Sequence, residues 1–364
     1  MQHPVSVQLN KVTDRSYRIF FQGLSTLPAL MQAHGLTGKR CFVVSDENVA
    51  ALYRSTIHEA LTQSGYEALW IVLPAGEPTK SLAHLGTIYD VALEAKVDRK
   101  TPIIALGGGV MGDLAGFAAA SLLRGLPFIQ IPTTLMSQVD SSVGGKTGIN
   151  HPAGKNLIGA FHQPKFVLCD FDSLRSLPER EWHSGLAEVV KHALIEDAAL
   201  FEELSANWDA ILQRDFSVIA PIIRRSVEIK ADVVSEDETE QGKRAHLNFG
   251  HTFAHAIEQV TGYKRFLHGE AVSLGMIAAL HLSAAHTPNF PLEKALSLVN
   301  RLPVAASATD LSLSELMDAM KGDKKASGGN LRFVLLDKIG SAFVSSEPSE
   351  SQIEAAWHFI LHQA

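Results

Sequence analysis

Short apolar runs alternate with longer amphipathic stretches through the first half of the chain. Residues 41–45 (CFVVS), 68–73 (ALWIVL), 101–106 (TPIIAL), 128–132 (FIQIP) and 166–170 (FVLCD) have the length and β-branched content of buried strands. Between them, residues 48–64 and 81–95 repeat their apolar positions every three to four residues, as helices do. Strand and helix in alternation predict a parallel sheet with helices on its faces. Near residue 175 the pattern changes. Residues 181–195, 217–235, 249–261, 269–285 and 313–320 read as successive helices, with one late strand at 331–336. The expected fold is therefore an α/β nucleotide-binding domain over 1–177 and a mainly helical domain over 178–364, with no internal repeat.

Length and charge agree with this picture. A chain of 364 residues is long enough for two cores. A net charge of -7 gives no general cationic face for nucleic acid. Residues 101–123 carry one charge, Asp113, but five glycines and a change of period mark them as strand, loop and helix rather than a membrane span. No signal-peptide core opens the chain, and Cys41 and Cys169 sit in apolar runs without a CxxC. The expectation is a cytoplasmic protein with buried, reduced thiols and neither membrane nor nucleic acid as partner.

Gly107, Gly108, Gly109 and Gly112 follow a strand, open a helix and satisfy G-x-G-x-x-G. Glycines there let backbone amides approach a pyrophosphate at the positive helix end. The ribose-binding acid expected about 20 positions on is missing, because residues 124–134 hold no carboxylate. Asp46 and Glu77, each just after an earlier predicted strand, are the candidates instead; the plain alternative for either is helix capping or a turn. Gly145-Lys146-Thr147 ends like a P-loop, yet Asp140 stands where its first glycine should be, which excludes a kinase or ATPase.

Glu188, Lys191 and His192 share one helix face, and His251 and His255 share another. His268 precedes a further helix. Glu188, His251 and His268 would suit zinc with an open position, or non-haem iron(II), with His192 and His255 as rival ligands that spacing does not exclude. The polar stretch 140–156 (DSSVGGKTGINHPAGKN) reads as a glycine-rich loop pressed against the body by its apolar flanks. Lys146, Lys155, Arg124, Lys191, Lys230, Arg244 and Lys325 are surface charges unless the fold gathers them, in which case they would hold a substrate with two anionic ends.

GGGVMGDLAGFAAA, IPTTLMSQVDSSVGGKTGIN, GKNLIGAFHQP, LPEREWHSGLAEVVKHALI, LNFGHTFAHAIE and HGEAVSLGM, in this order, resemble the 3-dehydroquinate synthase family. The resemblance implies an active site in the cleft between the two domains, and zinc (or cobalt or another divalent metal) on Glu188, His251 and His268. It implies NAD contacts from Asp46, Asn48, Glu77, Lys80, Gly108, Gly109, Val110, Asp113, Thr133, Thr134 and Ser176, with Asp140, Lys146 and Lys155 lining the site. Lys146, Asn156, Lys191, Asn248 and His255 match phosphate-binding positions, joined by Arg124 from the partner subunit of a homodimer. Lys230, Arg244 and Lys325 match carboxylate-binding ones. His255, Lys146, Asn156, Lys191 and Asp140 are the implied catalytic set, His255 as proton shuttle.

The implied reaction belongs to the shikimate pathway of aromatic amino acid biosynthesis. It turns 3-deoxy-D-arabino-heptulosonate 7-phosphate into 3-dehydroquinate and phosphate by transient NAD oxidation, β-elimination, reduction, ring opening and aldol closure. Another sugar phosphate cyclase, a metal-dependent polyol dehydrogenase of similar fold and a non-catalytic phosphosugar-binding module are the alternatives. His192, where tyrosine is often found, His246, and Ala254 in place of glycine depart from the pattern.

Overall fold

The computed structural model describes residues 14–326 and 331–362, without the side chains of 322–326. Six parallel strands form one sheet in the order β1-β8-β5-β4-β2-β3. They are β1 (Arg18–Phe21), β2 (Arg40–Asp46), β3 (Glu67–Leu73), β4 (Ile103–Gly107), β5 (Phe128–Pro132) and β8 (Phe166–Cys169). Helices α1 (Leu27–Ala33), α2 (Glu47–Gln63), α3 (Leu82–Glu94) and α4 (Gly109–Ser121) connect them. Alternate residues of β4 serve opposite faces: Ile103 and Ala105 join one apolar cluster, Ile104 and Leu106 the other. This double burial is why the strands read as continuous apolar runs. Cys41 and Cys169 are buried free thiols in β2 and β8.

The chain moves outward from β2 to β3, then returns to place β4 on the other side of β2. The strand order therefore reverses between β2 and β4, and open sheets bind ligands in the crevice outside the carboxyl ends at such a point. Asp46 ends β2 and Gly107 ends β4, so both flank that crevice. The stretch that passes for a membrane span is β4 and α4, and no described helix is long and apolar enough to cross a membrane.

The polar stretch 140–156 is more ordered than its composition suggests. Asp140 lies on a π-helical turn (Ser137–Ser141). Beyond it, β6 (Lys146–His151) and β7 (Gly154–Phe161) form an antiparallel hairpin. Glycines conceal this hairpin in the sequence, yet they are what lets it form. A Cβ at Gly159 would stand 2.1 Å from the Thr147 carbonyl oxygen.

From Glu179 onward the described residues form eight α-helices: α5 (Glu179–Glu196), α6 (Ala198–Leu212), α7 (Phe216–Glu236), α8 (His251–Val260), α9 (His268–His286), α10 (Leu292–Val299), α11 (Leu313–Ala326) and α12 (Glu350–Leu361). The late strand β9 (Phe333–Lys338) pairs with a second strand, β10 (Ser341–Ser345), that the apolar pattern does not announce. Helices α5 and α9 are buried almost all round, so they carry the core. Two glycines bring backbones together there. A Cβ at Gly269 would lie 1.9 Å from the Ser184 carbonyl oxygen, and one at Gly275 would lie 2.1 Å from that of Gly250.

Candidate active site

On the sheet side, Gly108 caps α4 with no side chain covering its first amides, including those of Gly109 and Val110. The approach is close: a Cβ at Gly108 would stand 3.2 Å from Thr134 Cγ2, and one at Gly109 would stand 3.0 Å from Ser141 Oγ. Asp46 does cap a helix, as its plain alternative supposed. Its Oδ1 accepts from the amides of Asn48 and Val49 at 3.0 and 3.1 Å. Its Oδ2 is turned to the glycine loop, 3.3 Å from where a Gly107 Cβ would stand, so the cap leaves one oxygen for a ligand.

Glu77 accepts from Asn150 Nδ2 at 2.7 Å, while buried Lys80 pairs with Asp113 and donates to Asn156 Oδ1. The Thr133 hydroxyl is buried with no hydrogen-bond partner. Thr134 Oγ1 lies 2.8 Å from Ser137 Oγ, and the exposed Ser176 hydroxyl 2.5 Å from that of Tyr53. An open helix N-terminus, glycines under contact and an orphan hydroxyl fit a dinucleotide with its phosphates at α4.

On the helical side, Glu188 of α5 is completely buried. His251 Nε2 and His268 Nε2, at the starts of α8 and α9, each lie 3.8 Å from its Oε1. The three donor atoms lie within 4.8 Å of one another. An ion equidistant from donors so spaced stands roughly 2.1–2.5 Å from each, close to zinc–ligand lengths of about 2.0–2.2 Å. Lys191 forms an ion pair with Glu188, but neither carboxylate oxygen accepts a hydrogen bond of good geometry. A buried, under-satisfied carboxylate of this kind fits a cation site.

The outer ring nitrogens are tied down. His251 Nδ1 meets the Phe249 carbonyl at 3.2 Å, and His268 Nδ1 meets Glu258 Oε1 at 3.3 Å, which turns both Nε2 atoms toward Glu188. Burial and then Lys191 hold His251 well below its usual pKa, so it is a neutral donor. Burial lowers His268 too, but Glu258, joined by the charges of Glu188 and Asp140, raises the net value; a bound cation would displace that proton.

Asp140, Glu188 and His192 form a second trio of the same compactness. It suits a cation less well. Lys230 Nζ already donates to Asp140 Oδ1 at 2.6 Å, so that carboxylate has its own cation; His192, its Nδ1 held by Ser226 Oγ at 2.7 Å, does keep a buried Nε2 without a hydrogen-bond partner. Burial pushes the Asp140 carboxyl up, yet Lys230, Lys191 and His192 together hold it well below the usual range.

Between the two halves lies a cavity of about 580 Å³. Lys146, Lys191, Lys230 and Arg244 all line it, as do Asp113, Asp140, Asn156, Asn248 and His251. Cations far apart in the sequence thus line one cavity. Buried Arg244 is anchored by the Gly144 carbonyl at 3.3 Å, and burial lowers the Lys230 pKa although Asp140 opposes it. His255 lies beside His251, ring centroids 5.6 Å apart. Arg124 is exposed in a left-handed turn and is not among the cavity's lining residues. The side chain of Lys325 lies outside the described residues.

Two acids emerge that sequence reasoning passed over. Glu240 pairs with Lys146 and accepts from Asn248 Nδ2 at 2.8 Å, so its carboxylate sits among groups suited to an anion. Its setting, SEDETEQGKR, reads as solvated surface. Glu258 lies in the quoted LNFGHTFAHAIE motif, one turn beyond His255, where an acid on a histidine-bearing helix was a usable signal.

Residues 70–184 match the 3-dehydroquinate synthase N-terminal family model, and residues 185–326 the 3-dehydroquinate synthase C-terminal model. The 3-dehydroquinate synthase of Salinibacter ruber is 50% identical, over 95% of this chain and 95% of that protein. The 3-dehydroquinate synthase of Hydrogenovibrio crunogenus is 48% identical, over 93% and 95% respectively. Among solved structures, ValA (2-epi-5-epi-valiolone synthase) of Streptomyces hygroscopicus, with NAD+ and Zn2+ bound, superposes with a TM-score of 0.87 at 28% identity, over 97% of this chain and 99% of that one. Two adjoining family models cover residues 70–326, relatives of about half identity cover nearly the whole chain, and the chain belongs to the 3-dehydroquinate synthase family.

Proposed function

We propose that the chain is a 3-dehydroquinate synthase, a phosphate-eliminating lyase that converts 3-deoxy-D-arabino-heptulosonate 7-phosphate to 3-dehydroquinate. The observation that carries the reading is the cavity itself. It sets four cations beside the Glu188–His251 pair, while its Ser141 wall abuts Gly109 of the nucleotide loop. NAD would be held by the α4 amides, Asp46, Glu77, Lys80 and the Thr133–Thr134 turn, and zinc or cobalt by Glu188, His251 and His268. When bound, NAD supplies reversible hydride exchange and the metal supplies Lewis-acid polarisation of a hydroxyl.

The chain's own residues do the rest. Lys146, Asn156, Asn248 and His255 bind the phosphate end, with Lys191 between phosphate and metal. Lys230, Arg244 and Lys325 bind the carboxylate end. Anchored at both ends, a flexible sugar is held near one reactive conformation. Asp140 keeps the Lys230 ammonium aimed into the cavity through its 2.6 Å contact. His255 moves a proton at the reacting hydroxyl, as imidazole does near neutral pH. Arg124, exposed at its turn, completes the phosphate site of a second copy in a homodimer. With the domains divided near residue 177, nucleotide and metal would be held on opposite walls of the cleft.

The test follows phosphate and nicotinamide absorbance together, with the heptulosonate phosphate, NAD and zinc. Phosphate released catalytically with no net NADH supports the reading. NADH accumulating in step with product would make the chain a polyol dehydrogenase instead.

A further inference from the structure

Lys155 is assigned to the nucleotide side by resemblance, yet its ammonium faces an acid on each side of the cleft. On β7, its Nζ lies 3.5 Å from Glu258 Oε1 of α8 and 4.0 Å from Glu77 Oε1 near β3. The same Glu258 oxygen meets His268 Nδ1 at 3.3 Å. The ring of Tyr263 supports the ammonium from a third side, 4.2 Å from its centroid. Glu258 is 4% exposed, so its carboxylate depends on these protein partners more than on water. These contacts form one chain of charges running from the nucleotide crevice to a metal ligand.

We propose that Glu258 is a positioning residue which, through Lys155, couples nucleotide binding at Glu77 to metal binding at His268. The inference rests on the site reading above. Nucleotide hydroxyls that occupy Glu77 release Lys155 wholly to Glu258. A Glu258 carboxylate held from that side keeps the His268 ring turned with Nε2 toward Glu188. Coupling of this kind is reciprocal: zinc strengthens NAD binding by the factor by which NAD strengthens zinc binding.

The test measures NAD affinity by calorimetry with and without saturating zinc, in the wild type, Glu258→Gln and Lys155→Met. The wild type should show tightening of at least about fivefold. Both variants should bring the factor to within about twofold of unity. Zinc affinity, read by competition with a chromophoric chelator, should fall by about 10–100-fold in Glu258→Gln, as for loss of an outer-shell partner, and change little in Lys155→Met. Lys155→Met keeps the aliphatic stem at a partly exposed position, so it tests the link without emptying the core. Independent binding of the two ligands by the wild type, or coupling that persists in Lys155→Met, would overturn the proposal and leave the site intact. A wild type that binds neither ligand would defeat the site reading itself.

Discussion

Replacing Glu188 with Gln removes one charge from a fully buried site while keeping the shape of the side chain. Two effects follow, and they are measured separately. Without metal, Glu188 is the ion-pair partner of Lys191, whose side chain is 1% exposed. Removing one partner of a buried pair costs about 3–5 kcal/mol, because the remaining charge stays out of water. Urea unfolding of the metal-free variant should show a loss of that order at neutral pH. With metal, Glu188 is the only anion of the three donors, and the cation must then sit near Lys191 without a screening carboxylate. A loss of about 3 kcal/mol corresponds to roughly 150-fold weaker zinc binding, and about 5 kcal/mol to several thousand-fold. Chelator competition reads this directly on folded protein. Glu188 belongs to both candidate trios, so His268→Ala and His192→Ala must be compared alongside it. Zinc affinity within threefold of wild type in Glu188→Gln, or its loss in His192→Ala but not His268→Ala, would refute the assignment.

Three further outcomes are expected. His255→Ala should slow turnover by about 10²–10⁴-fold, the range for a lost general acid–base, while zinc content by atomic absorption stays at the wild-type level. Glu240→Gln should lower the inhibition constant of inorganic phosphate in steady-state assays, since the native carboxylate occupies Lys146 and Asn248. Asp197 caps α6, accepting from the amides of Ala199 and Leu200 at 3.0 Å, and pairs with Arg225. Burial raises its pKa, but the amides and Arg225 outweigh it and leave the net value depressed. A carboxylate depressed on folding contributes fully above the unfolded value near 3.9 and loses that contribution as pH falls through the folded one. Asp197→Ala should therefore cost about 1–2 kcal/mol at pH 7, and the gap in urea midpoints should close in acid.

What the sequence reveals depends on whether a pattern is local. The five predicted strands of the first half lie within a few residues of β2, β3, β4, β5 and β8, because burial on both faces leaves an unbroken apolar run. The edge strand β1 is four residues long and, among the described residues, pairs with β8 alone, so it offers no such run. Helices α1, α6, α10 and α12 have no counterpart among the helices that the apolar pattern predicts. The β6–β7 hairpin is hidden because glycines, which weaken the strand pattern, are what its close backbone contact demands. Glu188, His251 and His268 were legible as a set through helix periodicity and family motifs. Their 3.8 Å contacts were not, since three helices must first pack. Nor did Glu240 show itself, because an acid in a charged run becomes a cavity residue only when the chain turns back on Lys146.

The close approach of backbone at Gly269 and Gly275 bears on how this enzyme can change over time. Helices that touch main chain to main chain have no side-chain cushion to absorb an added methyl group. The spacing of the histidines that begin α8 and α9 is therefore fixed by peptide geometry rather than by the choice of core residues around them. Apolar positions behind the site can drift in identity while the ligand spacing holds. One alanine at Gly275 would prise α8 from α9 and spread the two imidazoles, undoing the candidate metal site without altering any of its three proposed ligands.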